Sequence, residues 1–160
     1  MEEVVQEFSY TLGRAVIDGS EFILRKEDWD TVTGLELGRC RAIAAQEGMV
    51  LEEMTPEQFE GRIPVKTYDG LVALAQDEAW DMLRSCLLGC HYAEADGFAV
   101  DRETYADFLR EYGEQQKVSE EEARRAYPYE RYCLDEYRGH FYEVLEQYIR
   151  ESCVKPGEGA

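Results

Sequence analysis

The amino-acid sequence predicts an all-α fold of long amphipathic helices joined by short links, and three observations carry the prediction. Two long stretches, Tyr68 to Cys90 and Tyr129 to Ile149, repeat apolar residues at three- and four-residue spacing. Only four prolines interrupt the chain, which leaves room for uninterrupted helices. Between the long stretches, capping residues and glycines mark where shorter helices start and stop.

Taken in order, Val5, Phe8, Leu12 and Val16 fit an N-terminal helix ending near Asp18-Gly19. A β-hairpin across Asp18-Gly19-Ser20, with Val16-Ile17 facing Phe22-Ile23, is the alternative; the helix is the preferred reading. Glu27 to Gln46 reads as a helix through Val32, Leu35, Cys40 and Ile43, weakened by Thr31, Thr33 and Gly34 and closed by Gly48. Thr55 caps a short helix with Pro56 in its first turn. Residues 61–65 form a linker and the best hinge, so residues 1–154 are one helical domain or two lobes joined there.

The first long helix carries Tyr68, Leu71, Val72, Ala75, Ala79, Met82, Leu83, Cys86, Leu87 and Cys90 on one face, with Gln76, Asp77, Asp81 and Arg84 between them. Thr67 or Asp69 caps its start and Asp96-Gly97 ends it, giving about 27 residues and roughly 40 Å. Phe98-Ala99-Val100 is a short extended link. Asp101 then caps a helix through Tyr105, Phe108, Leu109 and Tyr112 that stops at Gly113. Ser119 with Glu122 forms a capping box for a short helix ending near Tyr127. Pro128 suits the first turn of the final helix, whose stripe runs Tyr129, Tyr132, Cys133, Tyr137, His140, Phe141, Val144, Leu145, Tyr148, Ile149. Residues 155–160 form a frayed tail.

Charge narrows the partners. Seventeen Lys+Arg against 35 Asp+Glu give a formal net charge of -18, a field that repels nucleic-acid backbones and anionic membrane surfaces while leaving basic or unfolded polypeptides as partners. Glu2, Glu3 and Glu7 stand where a secretory signal needs positive charge, and no run approaches the ~20 apolar residues of a membrane span, so the chain reads as cytoplasmic. Five cysteines, an odd number, then suggest reduced thiols that fill the core.

Chemistry finds little purchase. Cys86, Cys90 and His91 are the one metal-like cluster, but His91 points about 100° away from Cys90, and two thiols on one apolar stripe lack the other two ligands of a zinc site. His140 sits on the inner stripe of the last helix as a buried imidazole, and no nucleotide, nucleophile-elbow or calcium-loop motif appears. No catalytic residue, metal ligand or cofactor is expected, and the chain is not expected to be an enzyme. Eleven tyrosines, six of them between Tyr127 and Tyr148, instead offer large contact areas that tolerate both water and apolar surroundings.

From about Leu71 onward the order of segments resembles a known family. A long helix ends in Cys90-His91-Tyr92-Ala93-Glu94-Ala95-Asp96-Gly97, and Phe98-Ala99-Val100-Asp101 leads into a helix ending in Leu109-Arg110-Glu111-Tyr112-Gly113. Val118-Ser119-Glu120-Glu121-Glu122-Ala123 opens a short helix, and a closing helix ends in Val144-Leu145-Glu146-Gln147-Tyr148-Ile149. This arrangement is similar to the C-terminal chaperone domain of trigger factor and the helical core of SurA-type chaperones. The resemblance implies helical arms around an apolar face that holds unfolded or nascent polypeptide without ATP. At 160 residues the chain has no room for the family's ribosome-docking and prolyl isomerase domains as well, which leaves a peptide-holding role. The candidate peptide contacts are Phe22, Trp29, Phe59, Ile63, Phe98, Tyr127, Tyr129 and Tyr142. The alternative is an acidic helical interaction protein that forms a specific complex or a homodimer.

Overall fold

The computed structural model describes residues 2–60 and 64–153. Among them it contains seven α-helices, one 3-10 turn and no strand: α1 (Glu2–Asp18), α2 (Lys26–Gln46), the turn Leu51–Glu53, α3 (Pro56–Phe59), α4 (Tyr68–Asp96), α5 (Arg102–Gln116), α6 (Glu120–Ala126) and α7 (Tyr129–Cys153). The all-α expectation holds, and the segment around Asp18-Gly19 is a helix end rather than a hairpin.

The caps explain most of the boundaries. The Thr67 hydroxyl accepts the Gly70 N–H at 3.1 Å to start α4, and Gly97 ends it at φ 83°, a left-handed backbone that costs glycine nothing. The Asp101 carboxylate accepts the N–H groups of Glu103 and Thr104 at 2.7 and 2.8 Å, and Ser119 with Glu122 closes the capping box that opens α6. One predicted stop fails. The helix through Tyr105 runs past Gly113 to Gln116, because Gly113 serves the return of the chain: Val118 N–H donates to its carbonyl at 3.0 Å, and an added Cβ would stand 3.2 Å from the Val118 oxygen.

Two faces are rotated from their predicted register. On α1 the buried line is Val5, Ser9, Gly13 and Ile17, and Phe8 is 57% exposed. The small residues decide this: at Gly13 a Cβ would come within 2.7 Å of Tyr142 Cε1, so α1 lies against α7 along its Ser9-Gly13 ridge instead of its largest side chains. On α2 the buried residues are Val32, Thr33, Glu36, Leu37 and Ala44, while Ile43 turns outward. A carboxylate thus occupies a core position that the apolar pattern assigned elsewhere.

Four apolar clusters follow the two long helices. Leu37, Ala44, Leu51, Phe59, Leu71 and Ala75 make the first, so residues on both sides of 61–65 share one core; Gly61 to Ile63 themselves, like the tail 155–160, lie outside the described residues. Val32, Ala79, Met82 and Leu83 form the second, Tyr105, Leu109, Ala123 and Tyr132 the third, and Ile17, Phe141 and Leu145 the fourth. Leu134 packs on the second cluster, Gly89 lies against Tyr137, and Asp96 reaches His140. From Met82 to Asp96, roughly 21 Å of α4 passes over about 9 Å of α7 at 1.5 Å per residue, so the helices cross obliquely. They approach closely at Gly89, where a Cβ would sit 1.7 Å from the Tyr137 carbonyl oxygen.

Candidate polypeptide-binding surface

Gly48, at φ 71°, turns the chain back after α2, and Met49 N–H donates to Ala44 O at 2.9 Å. This return sets residues 49–54 beside the last turns of α2. Between them opens a pocket of about 300 Å³ lined by Arg39, Cys40, Ile43, Ala44, Met49, Leu51 and Met54. Two of the chain's four methionines fall here, five residues apart, and their unbranched thioethers adapt to differently shaped guests. Burial pushes the Cys40 thiol above its usual pKa, so it contributes apolar surface rather than a nucleophile. Arg39 supplies the polar end. Its Nε–H points at Glu36 Oε1 at 3.3 Å, and a guanidinium carries five donors, which leaves others for a backbone carbonyl of a guest. The segment from Glu47 to Glu60, which supplies Met49, Leu51 and Met54 to the pocket, carries Glu47, Glu52, Glu53, Glu57 and Glu60 and no lysine or arginine, and Arg41 on α2 donates to Glu52.

Below Arg39 lies a buried ion network. Glu36 on α2 accepts from Arg131 Nη1 on α7, Arg131 Nε donates to Asp135 at 3.0 Å, and the Tyr127 hydroxyl donates to the same carboxylate. Burial opposes the charge on Arg131, but the hydrogen bond to Asp135 and the charges of Asp135 and Glu36 prevail and raise its pKa. Burial first, then the bond to Asp135, drives the Tyr127 phenol up to about 12. Two acids and two bases balance here, and the network ties α2 to the start of α7.

Six of the predicted contact residues scatter among the four clusters, and none of the described ones lines the pocket. Phe59 is 0% exposed, at the centre of the first cluster, and so has no surface to offer a guest. Phe22 and Tyr142 are half-buried against the fourth cluster. Trp29 donates its Nε1–H to Gln76 O at 2.7 Å and meets Trp80 edge-on at 6.0 Å. Tyr127 and Tyr129 belong to a nest of rings with Tyr105, Phe108 and Tyr132, centroids 4.8–5.2 Å apart, in which the Tyr105 hydroxyl donates to Tyr127 O at 2.7 Å. Ile63 lies outside the described residues.

Phe98 stacks on His140 at 4.2 Å, and His140 Nε2 stands 2.9 Å from Asp96 Oδ2 at an angle that forms no hydrogen bond. The ring is buried under Phe98 and faces carboxylates from α4 and α7. Cys86 is buried beside Cys90, and desolvation drives its pKa up to about 12. Among the described residues no group of three or more His, Cys, Asp and Glu is arranged to hold a metal, and no helix is long and apolar enough to cross a membrane.

The sequence pattern reached only half of the pocket: Cys40 and Ile43 lie on the stripe read for α2, while Met49, Leu51 and Met54 lie in a turn and share no period with it. The density of methionine between Met49 and Met54 was the available signal. No protein family, curated protein or solved structure matches the chain.

Proposed function

We propose that the protein is an ATP-independent polypeptide-binding module that holds apolar segments of unfolded, net-basic chains by single anchor side chains. The methionine-lined pocket carries this reading. It is apolar, open and adaptable, on a chain whose net charge is -18. Its volume stands at the lower end of ligand pockets, roughly 300–1,000 Å³. It therefore admits an anchor residue rather than a length of chain, and binding is weak, reversible and tolerant of sequence.

Suppression of aggregation of a basic, chemically unfolded client at near-stoichiometric ratio tests the proposal. The wild type should suppress it, and the Met49→Ser/Met54→Ser variant should lose most of the effect while keeping its helical circular dichroism. Full suppression by that variant would refute the assignment to the pocket. A dedicated complex with one partner is the second reading, favoured by the filled interior where α4 crosses α7, with Ala79 and Phe141 fully buried. It predicts one fixed stoichiometry with one protein and no effect on unrelated clients.

A further inference from the structure

We propose a second docking surface, independent of the pocket: the face that Val4, Phe8 and Tyr148 form on the paired α1 and α7, with a net-basic amphipathic helix of a partner protein as its occupant. The pairing is antiparallel, since Gly13 meets Tyr142 and Leu145 while Ile17 packs with Phe141 and Leu145. At 100° per residue, Val4 and Phe8 fall on one flank of α1 and Tyr10 on the other; on α7, Val144 and Tyr148 fall on one flank and Tyr142 on the other. The rings of Tyr10 and Tyr142 touch at 5.0 Å, which matches those two flanks and sets Val4, Phe8, Val144 and Tyr148 together on the opposite side.

That side is the one α4 crosses lower down. The stripe Tyr137, Phe141, Val144, Tyr148 passes under α4 as far as Phe141, which Tyr92 stacks upon at 6.2 Å. Beyond it the same stripe emerges: Val4 is 65%, Phe8 57% and Tyr148 61% exposed. Two helices with an apolar furrow between them and, among the described residues, no third helix along it present a groove that the ridges of another helix fit, at an axis separation of about 8–10 Å.

Charge selects the occupant. Glu7 follows Val4 by one turn and Glu151 follows Tyr148 by one turn, and both are exposed. Among the described residues the cations of this pair lie elsewhere: Arg14 is engaged by Asp18 and Asp81, Arg131 by Glu36 and Asp135, Arg138 is beside Tyr142, and Arg150 is on the Tyr142 flank beside Glu146. A second copy of the chain would bring the same carboxylates and the same net charge of -18 against this face, whereas a lysine-rich helix would complement it.

Fluorescence anisotropy of the full chain with two labelled peptides tests this, one a leucine-faced helix with lysines on its polar side and the other its glutamate counterpart. The lysine peptide should bind, and the glutamate peptide about tenfold more weakly or not at all. Phe8→Ser/Tyr148→Ser, both exposed and so compatible with folding, should cost about tenfold in affinity, while Met49→Ser/Met54→Ser should leave it unchanged. Loss in the methionine variant alone would place the helix in the pocket and overturn this inference. So would absence of binding, equal binding of both peptides, or concentration-dependent self-association that Phe8→Ser/Tyr148→Ser abolishes. Failure of the aggregation assay above would leave this result untouched.

Discussion

From Cys133 to Phe141, α7 lies beneath α4, and the contact is close enough that Gly89 has no room for a single methyl group beside the Tyr137 carbonyl. From Val144 onward the packing partner is α1, and Tyr148 is 61% exposed. The two halves belong to one helix and one apolar stripe. What separates them is the neighbour: a glycine in α4 lets backbones meet and closes the first half, while the second half rests on a single helix and keeps apolar surface in reach of water. The stripe alone therefore says that a face is apolar, and the small residues opposite say whether it is covered.

The largest break in this comparison comes from the ion network at the closed end. Arg131→Met leaves the buried Glu36 carboxylate with only the longer, 3.3 Å bond from Arg39 and should destabilise the protein by about 3–5 kcal/mol, whereas Glu36→Leu/Arg131→Met together should cost much less. Urea unfolding midpoints of the two single variants and the double variant decide this. Equal losses for single and double variants would mean that the pair acts through packing alone.

Glycines sharpen the contrast. Gly89→Ala must push α4 from α7 and should cost about 2 kcal/mol, within the range for overpacking. In α2, a Cβ at Gly34 meets nothing within 4 Å, so Gly34→Ala should stabilise by about 0.5–1 kcal/mol through helix propensity. Thermal unfolding of both variants should shift in opposite directions. A stabilised Gly89→Ala would remove the close crossing from the account.

The smallest effect lies at the periphery, in the cap of α5. The Thr104 N–H, and then that of Glu103, hold the Asp101 carboxyl below its ordinary pKa of 3.8. The folded protein binds this proton more weakly than the unfolded chain does. The cap's contribution is therefore complete above the unfolded pKa and disappears as pH falls through the folded one. Asp101→Ala should be less stable than wild type at pH 7, with the difference shrinking in acid below about pH 4. A difference constant down to pH 2 would exclude the charged cap.

Helix existence was legible in the sequence because local chemistry decides it. Thr67, Asp101, Ser119 and Gly97 act where they stand, and each cap lies where the pattern predicts. Which face is buried was less legible, because a neighbour decides it. Phe8 and Ile43 looked like core residues by spacing and are exposed; Ser9, Gly13 and Glu36 looked unfit for a core and are buried. The contact surface was harder still. Aromatic side chains marked as contacts fill helix junctions, and the open pocket draws on a turn whose residues share no period.

Hydrogen–deuterium exchange of the full chain with and without an unfolded basic client tests most directly that partners meet the open surfaces and leave the crossing alone. Client binding should slow exchange across residues 43–54 and leave exchange across 82–93 unchanged. Protection concentrated at 82–93, with residues 43–54 unaffected, would contradict it.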